Sequence, residues 1–343
     1  MSRRGRAALA TLLIGCGVGG RASVVSPRTF AITAERRCEV REGALFCAGV
    51  SGVGWPYPED ATVSARRRVA ERRVALRGEV VAVTLGERHG CALLADGGVR
   101  CWGDNSLGQL GSGVCDAGAL APRSVALPAA AKTLASLGGR TCALLEDDTA
   151  VCWGGVDHLP GARWPCRPRR VYDAEGRPLG ALAQVEVDAA IDQEGRLWVW
   201  GSDFFGQVSR SAPGARRAPS FEAVRVAELR DVRAVASTGT GTCVIDARRR
   251  VQCWGLPVGS AERSAAAGVP RPRVLSDVHG AVALSCDATG CCVVDGDGLR
   301  CWGARELRVP LRAAEVDDAL ELRLGEGRVC VRGAGLGERC EAR

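Results

Sequence analysis

Gly90-Cys91-Ala92-Leu93-Leu94-Ala95-Asp96-Gly97-Gly98-Val99-Arg100-Cys101-Trp102-Gly103 decides the fold, because the chain repeats it. Thr141-Cys142 to Cys152-Trp153-Gly154, Thr242-Cys243 to Cys253-Trp254-Gly255 and Gly290-Cys291 to Cys301-Trp302-Gly303 are further copies. Cys38 to Cys47 and Cys330 to Cys340 are end copies without the Trp, and Ala189 to Val199, followed by Trp200-Gly201, is a copy without cysteine. Seven units result. Self-similarity at a fixed period marks an architecture in which each unit buries its apolar face only against its neighbours.

Each unit reads as a β-hairpin. Apolar residues flank a turn cluster such as Ala95-Asp96-Gly97, with glycine where a three-residue loop needs a left-handed residue. Centring the hairpin on Asp96 puts Cys91 opposite Cys101, close enough for a disulfide. The first hairpin has a shorter loop, Glu42-Gly43, and still opposes Cys38 and Cys47. Arg248-Arg249 leaves the turn type of the fifth hairpin open. The copy lacking cysteine holds Ala189 and Val199 at both aligned positions, and joint absence is what a covalent pair predicts.

Parity agrees. Of 17 cysteines, Cys16 belongs to an N-terminal motif, and six hairpin pairs use Cys38–Cys47, Cys91–Cys101, Cys142–Cys152, Cys243–Cys253, Cys291–Cys301 and Cys330–Cys340. Cys115 and Cys166 fall in equivalent loops of neighbouring units, so a bridge between them is expected, which leaves Cys286 for Cys292. An exchange of Cys291 and Cys292 stays open, since connectivity does not follow from spacing alone. Each hairpin bridge is worth roughly 2–3 kcal/mol in the chain-entropy model, useful to a core with 4% aromatic residues.

Between hairpins a second block recurs: a Pro-x-x-Val segment (Pro122 to Val125, Pro168 to Val171) and an apolar strand such as Val80 to Val83. A hairpin with two flanking strands gives four strands per unit, at about 47 residues each, the period of a propeller blade. The expected fold is all-β: a seven-bladed β-propeller of four-stranded antiparallel blades, spanning 30–343. The last unit stops short of a fourth strand, so an N-terminal strand within 22–29 is expected to close the ring.

Arg3, Arg4 and Arg6 precede an apolar stretch, Ala7 to Ile14, and then Leu13-Ile14-Gly15-Cys16, which resembles a bacterial lipobox. That resemblance implies a signal peptide over 1–15, a diacylated Cys16, and a tether over 16–29. Gly17 carries no inner-membrane retention Asp, so an outer-membrane or cell-surface lipoprotein is expected; a secreted or periplasmic protein is the alternative. Many cysteines with no C-x-x-C pair and only three histidines favour an oxidising compartment over metal sites. The net charge of +7 falls to +4 once residues 1–15 are removed, which does not support a nucleic-acid footprint.

Cys101-Trp102-Gly103-Asp104-Asn105-Ser106-Leu107-Gly108-Gln109-Leu110-Gly111 with its preceding hairpin resembles the regulator of chromosome condensation repeat. Trp200 to Val208 is a looser match, and units three, five and six lose the Gly-Gln loop. The resemblance implies a seven-bladed propeller. Family members include chromatin-binding exchange factors for a small nuclear GTPase and secreted inhibitors of β-lactamases; only the second shares an exported compartment.

No H-E-x-x-H, G-x-S-x-G or G-x-x-x-x-G-K occurs, and no catalytic residue, metal or cofactor is expected. Gly333 to Gly337 and Asp295 to Gly298 read as turns, His89 as packing, and the Trp after each hairpin as blade-to-blade filling. Trp55 and Tyr57, in a segment outside the repeat, and the adjacent Arg66-Arg67-Arg68 run are the candidate partner contacts. The expected function is a monomeric, lipid-anchored scaffold at the cell envelope, binding an envelope or extracellular protein or a surface polymer. A polysaccharide hydrolase or lyase working at the channel mouth, and an inhibitor of a hydrolase, are the alternatives.

Overall fold

The computed structural model describes residues 29–33, 35–50, 56, 68–155, 166–203, 205–208, 220–256, 269–303, 307–311, 319–325, 328–333 and 337–342. Strands fall into seven antiparallel sheets in chain order: blade 1 (30–73), blade 2 (80–124), blade 3 (131–170), blade 4 (182–225), blade 5 (234–274), blade 6 (283–309) and blade 7 (319–342). The first six sheets have four strands, each pairing with the next in sequence, and blade 7 has three among the described residues. The first strand of every blade is innermost. Neighbouring blades touch there, including the first strands of blades 7 and 1, which closes the ring. The expected closing strand at 22–29 lies outside the described residues, apart from Thr29, as do the signal segment and Cys16.

The second and third strands are the hairpins, and they use one register. Cys91 faces Cys101, Cys142 faces Cys152, Cys243 faces Cys253, and Cys330 faces Cys340; Ala189 faces Val199 in the blade without a disulfide. The paired cysteines are bonded, as are Cys38–Cys47 and Cys115–Cys166. Blade 6 corrects the expected connectivity: the bonds are Cys286–Cys291 and Cys292–Cys301. The reason is turn length. Asp295 pairs with Gly298, so the loop is only Gly296-Asp297, and the shorter turn slides Cys292, not Cys291, opposite Cys301. A one-residue slip in register moves a side chain to the other face of the sheet.

That alternation organises five of the seven junctions. The hairpin disulfide faces the following blade, and the Trp one residue after its second cysteine faces the preceding one. Trp102 packs with Cys38 and Cys47, Trp153 with Cys91 and Cys101, and Trp200 with Cys142 and Cys152. Trp302 packs with Cys243 and Cys253. Where blade 4 carries Ala189 and Val199, Trp254 covers them instead. The Trp side chains are buried, so they fill junctions and form no exposed ring.

A polar series crosses the same junctions. Two residues before the first hairpin cysteine stand Arg36, His89 and Arg140 in blades 1, 2 and 3. Arg36 donates to the Gly86 and Glu87 carbonyls of blade 2. His89 Nε2 lies 2.7 Å from Thr141 Oγ1 of blade 3. Arg140 grips Asp188 of blade 4 through its two terminal guanidinium nitrogens, Nη1 and Nη2. Burial pushes the Asp188 carboxyl up, against the pull of the Arg140 charge. Ring closure also has polar contacts: Arg332 of blade 7 lies 4.4 Å over the Phe30 ring and 2.7 Å from Glu39, and Arg37 lies 2.6 Å from Glu338.

The fifth hairpin resolves its turn without glycine. Arg249 takes φ 58° where blade 2 has Gly97 at φ 78° and blade 4 has Gly195 at φ 74°. Asp246 holds the turn, accepting from the Arg248 and Arg250 backbone N–H groups. Arg249→Gly removes the left-handed penalty of a side chain, and part of that gain is offset by unfolded-chain entropy. It is expected to raise the unfolding free energy by about 0.5–1 kcal/mol, read by denaturant titration; a decrease would show the turn to be unstrained.

His89 supplies a pH test. Burial first, and the Arg36 charge second, push its imidazole down from 6.5 to about 3. The unfolded chain takes up this proton near 6.5, so the neutral ring's contribution is complete above that pH and is lost as the pH falls towards 3. From pH 7 to pH 5 the loss is about 2 kcal/mol. Comparing wild type with His89→Gln at both pH values checks this: the variant should lose that part of the slope, and equal slopes would refute it.

Candidate functional site

Equivalent strands run in the same direction around a propeller, so the third strands all end at one face. The connections from third to fourth strands leave there: 51–67, 106–115, 155–168, 202–219 and 256–268. They carry most of the sequence that departs from the repeat. The second-to-third hairpin turns, at the opposite face, are short and close to uniform.

Glycine after the Trp is what lets the strand leave. At Gly154 (φ 80°) a Cβ would sit 2.2 Å from the Gly139 carbonyl oxygen, and at Gly255 (φ 95°) 2.5 Å from that of Thr240. No side chain fits that approach.

The connection after blade 2's Trp-Gly is held at many points. The Asn105 side-chain amide donates to the Val114 carbonyl at 2.8 Å and to Asp116 Oδ1 at 2.7 Å, while its Oδ1 accepts from Leu110 N at 3.0 Å. Hydrogen bonds from Arg123 and Asn105 hold the Asp116 carboxyl at about 2. The Leu107 N–H donates to Gln109 Oε1, and the Gln109 carbonyl accepts from Trp153 Nε1 of blade 3 at 3.0 Å. The looser copy repeats the device: the Gln207 carbonyl accepts from Trp254 Nε1 of blade 5 at 3.0 Å. The Gly-Gln loop thus fixes the surface and the next blade together. Cys115–Cys166 ties the connections of blades 2 and 3, and Gly113 N donates to the Cys166 carbonyl at 2.9 Å. Beside that tie Val114 is 55% exposed, one of three large apolar side chains left open among the described residues.

The central channel, about 290 Å³, is lined by the innermost strands of all seven blades. Val, Ala and Leu dominate, with Ser136, Gln184, Ser237 and Ser285 among them. Two lining carboxylates are described, Glu186 and Glu321, and Glu321 lies 2.7 Å from Arg323. Three ligand-type atoms converge at two places among the described residues, Cys243/Cys286/Cys291 and Cys330/Glu338/Cys340. Every cysteine in both is disulfide-bonded, so no thiolate is offered to a metal.

Of the candidate contacts, Trp55, Tyr57, Arg66 and Arg67 lie outside the described residues. Arg68 is exposed at the start of blade 1's fourth strand, facing Val50. Sequence reading overlooked Val114, because nothing local shows that an apolar side chain flanked by Gly113 and Cys115 stays open. It also overlooked the Gln109 and Gln207 carbonyls, whose partners lie on another blade.

The Regulator of chromosome condensation (RCC1) repeat model matches residues 80–109, which run from blade 2's first strand to the Gly-Gln loop. The E3 ubiquitin-protein ligase HERC2 of Homo sapiens is 26% identical over 295 residues, covering 77% of this chain and 6% of the ligase. The probable E3 ubiquitin-protein ligase HERC6 of Homo sapiens is 30% identical over 160 residues, 41% of this chain and 16% of its own length. The chain therefore spans only a small part of these relatives. Among solved structures, Prp20p from Saccharomyces cerevisiae superposes with a TM-score of 0.64 at 17% identity, covering 86% of this chain and 80% of that one. The CRINKLY WD40 ectodomain of the Arabidopsis thaliana receptor kinase ACR4 gives 0.54 at 16% identity, covering 92% and 95%. Repeat, hairpin register and blade count agree: the chain is a seven-bladed β-propeller, and its second blade carries a match to the regulator of chromosome condensation repeat.

Proposed function

We propose that this propeller is an exported binding scaffold, held at the cell envelope through a lipid on Cys16, that engages a protein partner with the face from which its long connections leave. One observation carries the reading: the strand ends between which the repeat is interrupted all lie at a single face of an otherwise regular ring. A rigid scaffold presenting variable connections is the usual way a repeat fold acquires a binding surface. Eight disulfides among the described residues suit an oxidising compartment.

A structural relative points the same way in kind. Prp20p binds Gsp1p and histones, which are proteins; a scaffold at the envelope would meet others. A surface polymer is the second ligand class for this face, and inhibition of an envelope hydrolase would use the same surface. Polysaccharide cleavage at the channel mouth has less support, since Glu321 is engaged by Arg323 and Glu186 stands as the other described carboxylate.

The test is capture from cross-linked envelope extract, with the disulfide-bonded mature domain (Cys16→Ser) as bait. A saturable protein partner is expected, with affinity reduced at least tenfold in Val114→Asp and in the combined Trp55→Ala, Arg66→Ala, Arg67→Ala, Arg68→Ala variant. Arg248→Ala, on the hairpin face, should bind as the parent does. Equal binding by all variants would remove the proposed face; retention or shortening of polysaccharide, with no protein enriched, would replace the scaffold by an enzyme.

A further inference from the structure

Blade 6 departs from the repeat in one chemical respect. The residue preceding the first hairpin cysteine points back at the previous blade: Thr141 Oγ1 in blade 3 lies 3.9 Å from Cys91 Sγ of blade 2. In blade 6 that position is Cys291, and its Sγ lies 3.7 Å from Cys243 Sγ of blade 5. Cys243 is bonded to Cys253, and Cys291 to Cys286. Two disulfides therefore abut across a blade junction. The Sγ atoms of Cys243, Cys286 and Cys291 all lie within 4.8 Å of one another. Cys243 and Cys291 are fully buried, but Cys286 is partly exposed and lines the central channel. The neighbouring Cys292–Cys301 bond belongs to the junction with blade 7 and stands apart.

We propose that Cys286–Cys291 is a thiol-exchange site, opened from the channel by a small thiol and relayed to Cys243. The thiolate of the reductant attacks Cys286 Sγ, forming a mixed disulfide while the Cys286–Cys291 bond breaks and Cys291 departs as a thiolate. Cys291 Sγ then attacks Cys243 Sγ. A Cys243–Cys291 bond forms, the Cys243–Cys253 bond breaks, and Cys253 leaves with the electron pair and takes a proton from solvent. A second thiol attacks the mixed disulfide, releasing Cys286 as a thiol and the reductant as its own disulfide. Two electrons pass from two thiols to the protein, which loses one disulfide overall.

The product differs from simple reduction. A bond closing a separation of 5 is consumed, and the surviving bond spans 48 residues and joins two blades. Longer loops constrain the unfolded chain more, so the relayed isomer resists unfolding better than the simply reduced protein. The steps need no large movement, because the attacking and attacked sulfurs are already in contact.

The oxidised, folded protein is treated with reduced glutathione in small excess, quenched with acid, labelled with N-ethylmaleimide and digested without reduction. Mass spectrometry should find glutathione or maleimide on Cys286, maleimide on Cys253, and a peptide joined through Cys243–Cys291. Label on Cys286 and Cys291 with Cys243–Cys253 intact would overturn the relay, as would label spread evenly over the hairpins. Cys286→Ser tests it without any reductant: most maleimide should then reside on Cys253. Label confined to Cys291 would refute the proposal. If that variant does not fold, the wild-type time course decides alone.

Discussion

The blade junction is the interaction on which everything else rests. A four-stranded blade cannot bury both of its faces alone, so each must meet its neighbour with a complementary surface. Here the complement is fixed by strand alternation. One face of the hairpin presents the disulfide or its Ala189/Val199 substitute, the other presents the Trp, and adjoining blades bring the two together. Because successive residues on a strand face opposite ways, a cysteine followed by a tryptophan is enough to specify both contacts.

Polar groups follow the same rule of reaching forward. Arg36, His89 and Arg140 occupy one repeat position and solve the same burial problem in three ways: with backbone carbonyls, a hydroxyl, and a carboxylate. The Gly-Gln loops run in that direction as well, offering a main-chain carbonyl to the tryptophan of the next blade. These loops belong to the connections at the proposed binding face, so order at that surface and adhesion between blades come from the same residues. Val114, open to solvent, sits on that face beside the Cys115–Cys166 tie.

Blade 6 shows how one residue of turn length redirects chemistry. With only Gly296-Asp297 in the turn, the hairpin bond passes to Cys292. Cys291 is thereby turned towards blade 5, beside a disulfide it would otherwise never meet. The sulfur cluster follows from register, not from any local motif.

Repeat count, hairpin register in five of the six cysteine-bearing units, and burial of the tryptophans were all legible from Cys91 to Gly103 and its copies, because they depend on local pairing and period alone. Joint loss at Ala189 and Val199 carried the logic of covalent pairing. What the chain could not express by itself was anything between blades or beyond one turn's geometry. The partner of Cys291, the grip of Arg140 on Asp188 some fifty residues away, and the exposure of Val114 are of this kind. So is a channel whose two described carboxylates, Glu186 and Glu321, come from blades 4 and 7. Periodicity fixes which residues share a face; only closing the ring decides what each face meets.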